Sequence, residues 1–169
     1  MPHQLSHSET NFTKITFPVT LVCDAVRYQP NIGSLFRICE AFGVQEIIFI
    51  GKDVALTPRK INRTSRNTHL HIPYTVTESP DEAIACLQQN DYEIIALEIT
   101  GNSKPLQSLS ITGDKPIALI AGGEVSGIGE RLLKIAHRQV HISMYGNNSS
   151  MNVTTAVAIA LYHITNKIS

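Results

Sequence analysis

Three stretches of this 169-residue chain carry the residue types that chemistry needs, and each follows an apolar run. Residues 27–37 read Arg-Tyr-Gln-Pro-Asn-Ile-Gly-Ser-Leu-Phe-Arg. Asn31 is placed to cap a helix, Gly33 to admit a neighbouring backbone, and Arg37 stands more than one turn further on among apolar residues. A guanidinium there either pairs with a carboxylate or sits under a phosphate or ribose, for which its planar fork suits better than an ammonium. Residues 118–129 read Ala-Leu-Ile-Ala-Gly-Gly-Glu-Val-Ser-Gly-Ile-Gly. An apolar run opening into glycines is either a tight turn or a nucleotide-contacting loop. Here it lacks both the Gly-Lys-Ser/Thr of a Walker loop and the dinucleotide GxGxxG pattern. Glu124 is placed to cap the next helix or to neutralise Arg37. Residues 140–153 read Val-His-Ile-Ser-Met-Tyr-Gly-Asn-Asn-Ser-Ser-Met-Asn-Val. Small and amide residues just ahead of a helix present many backbone donors and acceptors, able to grip an amino acid joined to an adenosine. Capping by Ser150 or Asn152 accounts for one of these residues and not for the whole run.

The elements that must position these stretches alternate. Apolar, β-branched runs predict strands at 17–23, 46–50, 71–76, 92–99, 116–121 and 139–143. Helical spacing predicts helices at 31–42, 82–89, 130–136 and 152–166, with Gly43 stopping the first and Ser79 or Asp81 capping the second. Residues 57–69 are polar and basic and are expected to form a loop with one helical turn. The last helix is apolar almost all round, hence buried or packed against a second copy. Such alternation predicts an α/β fold with a mostly parallel sheet covered on both faces. Ligands of such sheets bind beyond the carboxyl ends of the strands.

Composition narrows the function classes. With 43% hydrophobic and 17% charged residues, the chain is expected to form one domain over 15–169 behind a flexible polar tail at 1–14. Lys plus Arg and Asp plus Glu number 14 each, so any nucleic-acid surface must be local. The candidate is Arg59, Lys60, Arg63 and Arg66; the alternative is a solvated basic loop. Cys23, Cys39 and Cys86 show neither CxxC nor metal-ligand spacing, which predicts reduced thiols in a cytoplasm and no metal site. No apolar run is long enough for a membrane span.

Taken together and in order, the three stretches resemble the SpoU family of RNA ribose 2′-O-methyltransferases, close to its TrmH-like members. Asn31, Gly33 and Arg37 match its first motif. Gly122, Glu124 and Gly127 match the second, and Ile142, Met144, Ser150, Asn152 and Val153 the third. The resemblance runs from about residue 17 to the last helix. It implies a deep trefoil knot towards the carboxyl terminus, a homodimer sharing its active site across the interface, and S-adenosylmethionine as cofactor. The cofactor would be held near Leu97, Glu98, Gly122, Gly127, Ile142, Met144 and Met151. The substrate would be structured RNA, a tRNA or an rRNA. Ser143 replaces the family's usual proline, Met151 its usual leucine, and Gly123 stands where many members carry asparagine or another side chain.

The resemblance also assigns roles. Arg37 would act on the 2′-hydroxyl with Asn31 and Glu124 orienting it, while Ser150 and Asn152 order the cofactor loop and the ribose. A guanidinium resists deprotonation, so Arg37 is expected to position and polarise the hydroxyl, not to take its proton. Two other readings are a base methyltransferase sharing the knot and a non-catalytic RNA-binding protein with a relic cofactor pocket.

Overall fold

A computed structural model of the chain describes residues 3, 5, 9, 10, 12–52, 54, 56, 61 and 64–169. Half of the 1–14 segment and most of the 57–63 stretch lie outside the described residues. Strand β1 (Phe17–Asp24) leads into helix α1 (Gln29–Ala41), then β2 (Val44–Ile50) and β3 (Tyr74–Thr77). Helix α2 (Pro80–Gln89), β4 (Glu93–Leu97), the two-residue β5 (Lys104–Pro105) and β6 (Ile117–Gly122) follow. Helix α3 (Glu130–Ile135), β7 (Arg138–His141) and helix α4 (Val153–Ile168) complete the order.

Every pairing in the sheet is parallel, and the strand order is β3-β2-β1-β6-β4-β7-β5. The period of two in the strands explains the layering. Leu21 and Cys23, Ile47 and Phe49, and Leu119 and Ala121 face one core with α1 and α4. Val22, Ile48, Ile50, Ala118 and Ile120 face the other, closed by Ala83 and Leu87 of α2 and Leu132 of α3. Two buried faces leave no polar side to these strands, which is why they read as unbroken apolar runs.

Register then brings the strand ends level. Asp24 pairs with Gly122, and Leu97 pairs with Ala121 on one side and Val140 on the other. The segments leaving β1, β6, β4 and β7 therefore meet at one end of the sheet.

Several boundaries differ from the sequence reading for identifiable reasons. Helix α1 starts two residues early: Tyr28 is its N-cap without a side-chain bond, and Pro30 occupies the first turn. Proline is pre-organised for that position, so Asn31 is not the cap. Gly43 does end the helix, in the left-handed region at φ +62°. Ser79 caps α2 by accepting from the Asp81 amide at 3.2 Å. Strand β5 carries no sequence signal, since two residues have no period to read. Helix α4 buries Val157, Ala160, Leu161 and Ile164 but leaves Ile159 and Tyr162 exposed. No helix among the described residues is long and apolar enough to cross a membrane.

Candidate active site

The loop after β6 is shaped by close backbone approach. A Cβ on Gly122 would overlap the Gly127 carbonyl and the Ile128 amide, and one on Gly123 would overlap the Ala25 carbonyl oxygen. Position 123 thus has no room for the side chain that many family members carry. Gly127 turns at φ +61° and donates to the Gly123 carbonyl at 3.0 Å. Two carboxylates at the ends of β1 and β4, the strands that flank β6, hold this loop down. Asp24 Oδ2 accepts from the Gly129 amide at 2.7 Å, and Glu98 Oε2 accepts from the Ile128 amide at 3.1 Å. The sequence reading missed Asp24; a lone acidic residue ending an apolar strand was the available signal.

Beside this loop lies a cavity of about 730 Å3, within the size range of cofactor sites. Leu97, Glu98, Gly122 and Gly127 line it, as do Ile142, Met144 and Met151. All of the residues expected to hold the cofactor therefore border one space, although they come from three separate loops. Glu124, Ser150 and Asn152 also border it, as do His141, Asn148 and Ser149 of the third stretch and Ala156 of α4. Apolar side chains, backbone edges and a few polar groups make a donor set suited to an adenosine and an amino-acid tail.

At the cavity edge the three motif segments are joined by hydrogen bonds. Asn31 is buried, and its Nδ2 donates to Glu124 Oε1. Its Oδ1 accepts from Asn152 Nδ2 at 3.3 Å. Asn152 in turn caps α4, its Oδ1 accepting from the Thr154 amide at 2.8 Å. Amide orientations follow from this network, since each alternative flip opposes like groups. Asn31 thus links Glu124 to Asn152 across sequence separations of 93 and 121 residues. Glu124 does not cap α3, whose N-cap is Gly129 without a side-chain bond.

Asn152→Asp separates capping from linkage. Aspartate keeps the cap oxygen but cannot donate to Asn31 and sets a second carboxylate near Glu124. The expected outcome is a melting temperature within a few degrees of wild type and turnover reduced about tenfold or more. Unchanged turnover would show that the linkage is only structural.

Arg37 stands apart. It is exposed on α1, borders no part of the cavity, and makes no hydrogen bond or ion pair with the described residues. Asn31 and Glu124 bind each other and not Arg37. Arg59, Lys60 and Arg63 lie outside the described residues; Arg66 is exposed, and both it and Asn67 adopt positive φ. Gly33 admits close neighbours: a Cβ there would strike the Thr64 side chain and come within 3.0 Å of the Ile61 carbonyl oxygen, so both residues lie directly on α1. Burial pushes the Cys23 and Cys39 thiols above their usual range, which excludes them as nucleophiles.

A parallel sheet covered on both faces, with a cavity beyond its carboxyl strand ends, is the arrangement in which open α/β folds bind small molecules. The chain belongs to the SpoU rRNA Methylase family, which it matches over residues 18–162. It is 29% identical over 145 residues to a 23S rRNA (adenosine(1067)-2′-O)-methyltransferase of Streptomyces azureus, covering 84% of this chain and 52% of the relative. It is 26% identical over 140 residues to a tRNA (guanosine(18)-2′-O)-methyltransferase of Aquifex aeolicus, covering 82% and 64%. The chain thus spans little more than half to two-thirds of the length of these relatives. Its fold is shared with an AdoMet-bound rRNA methyltransferase from Sinorhizobium meliloti at TM-score 0.82 and 21% identity, over 94% of this chain and 59% of that one.

Proposed function

We propose that the protein transfers a methyl group from S-adenosylmethionine to a ribose 2′-hydroxyl of a tRNA or rRNA. The observation that carries this reading is the hydrogen-bonded chain Glu124–Asn31–Asn152 at the rim of the cavity. A relic pocket has no need for a buried amide that ties three distant loops together. Family membership and two relatives named as 2′-O-methyltransferases support the same conclusion.

The cofactor fits the cavity by size and by the donor set described above, and when bound it supplies an electrophilic methyl group. Leu97, Gly122, Ile142 and Met151 would hold it by backbone and apolar contact. Ser150 and Asn152 would order the loop over it, and Asn31 would keep Asn152 and Glu124 in register. Arg37 would bind the RNA beside the target ribose, its fork spanning a phosphate and the hydroxyl, so that the oxygen is aligned and more acidic. The proton leaves to water.

A homodimer completes this arrangement. Arg37 lies outside its own chain's cavity, and the exposed Ile159 and Tyr162 of α4 give a second copy an apolar surface. The carboxyl-terminal region, with β7 inserted between β4 and β5, is proposed to form the trefoil knot of the family. Arg59, Lys60, Arg63 and Arg66 are proposed to contact RNA phosphates in the cytoplasm; a salt dependence of RNA binding unchanged by neutralising Arg66 would remove it from that set.

The decisive experiment incubates the protein with methyl-labelled S-adenosylmethionine and total tRNA or rRNA, then digests the RNA to nucleosides. Label is expected in a 2′-O-methylated nucleoside. Label on a base would favour base methylation, and no label together with no cofactor binding would favour the non-catalytic reading.

A further inference from the structure

We propose that the Glu98 carboxylate is the charge by which the cavity distinguishes the sulfonium of S-adenosylmethionine from the neutral thioether left after transfer. The inference rests on the cofactor reading above and adds a specificity-determining residue to it. Among the described residues, the ionisable side chains bordering the cavity are Glu98, Glu124 and His141, with no lysine or arginine. Glu124 is exposed and already bonded to Asn31, and His141 is engaged through Nδ1 by Ser103 at 2.9 Å. Glu98 is partly buried and held at both oxygens. Oε1 accepts from the Ile99 amide at 3.0 Å and Oε2 from the Ile128 amide at 3.1 Å. Gly127 lies so close above it that a Cβ there would come within 2.6 Å of Oε2. The two amides fix the charge in the wall between β4 and the glycine loop, and a carboxylate's remaining lone pairs stay available.

S-adenosylmethionine carries a sulfonium, an ammonium and a carboxylate, hence one net positive charge; S-adenosylhomocysteine keeps only the last two and is neutral. Transfer cancels the sulfonium charge because the electron pair of the broken S–CH3 bond stays on sulfur, while the hydroxyl oxygen gains the methyl and loses its proton. A fixed anion in a partly desolvated wall attracts the first ligand and is indifferent to the net charge of the second. The cavity therefore loosens its hold once the methyl has gone, which favours product release.

Titration calorimetry on the full chain tests this with three probes: S-adenosylmethionine, S-adenosylhomocysteine, and sinefungin, in which a carbon bearing an ammonium replaces the methylated sulfur and keeps the positive charge beside that position. Wild type is expected to bind both cationic probes more tightly than the thioether. Glu98→Gln keeps the shape and one acceptor oxygen but removes the charge. It should weaken the cationic probes on the order of fivefold, as Coulomb's law gives across a partly solvated cavity, and leave the thioether within about twofold. Equal losses for all three probes would make Glu98 only a brace for the loop and overturn the proposal. Wild type binding all three without charge preference would also overturn it while leaving the cofactor reading intact. Wild type binding none would remove both. If Glu98→Gln fails to fold, the salt dependence of the wild-type preference decides. A preference that shrinks with ionic strength supports the charge, and a salt-independent one refutes it.

Discussion

Replacing Arg37 with alanine is expected to lower methyl transfer by about a hundredfold or more, with S-adenosylmethionine affinity and melting temperature unchanged. The size follows from deleting the one cationic donor proposed to meet the charge that develops during reaction. The lack of side effects follows from its position. Arg37 is exposed on α1, has no partner among the described residues, and stands outside the cavity. Arg37→Lys should recover little, because an ammonium keeps the charge but loses the fork that spans two oxygens. Near-normal turnover by the lysine variant with normal RNA binding would refute the positioning role. Mixing variants tests the shared site as well. A dimer of one Arg37→Ala chain and one Asn152→Ala chain holds one intact site if Arg37 acts in the partner's cavity, and none if it acts in its own. Activity that appears only on mixing is therefore the expected result.

The second large effect is expected at Gly122. A Cβ there overlaps the backbone of Gly127 and Ile128, and no rotamer change relieves a backbone clash. The loop must move, which breaks the bonds from Ile128 to Glu98 and from Gly129 to Asp24. Gly122→Ala should lower S-adenosylmethionine affinity by about tenfold or more and reduce stability by about 1–3 kcal/mol, the usual range for overpacking. Gly101→Ala is the control, since its Cβ meets nothing within 4 Å. Calorimetry and thermal melting of the two variants would separate them. Equal behaviour would mean that the loop relaxes freely and has no fixed shape for the cofactor.

These two positions also divide what the chain's order reveals from what it conceals. Gly122 belongs to a run whose physical demand is local: an apolar strand that must turn at once needs residues without Cβ. That is visible in any window of a dozen residues. The strands and helices are legible for the same reason, because a two-faced buried strand is continuously apolar and an amphipathic helix has a 3.6-residue period. The motif segments were legible too, and the residues expected to hold the cofactor do border one cavity.

What tertiary structure alone decided is which of those residues touch. Asn31 reads locally as a helix cap. Its partners lie 93 and 121 residues away, and Pro30 takes over the start of the helix that Asn31 was expected to cap. Arg37 and Glu124 read as complementary charges, yet the fold gives Glu124 to Asn31 and leaves Arg37 on an exposed helix face. Strand β5 and the insertion of β7 beside it have no local signature, because two residues carry no period and strand order is set by long-range pairing. Local propensity and patterning thus determined the parts and the chemical inventory of this protein. Only parallel register, which levels the ends of β1, β6, β4 and β7, decided that the inventory meets around one cavity with its arginine outside.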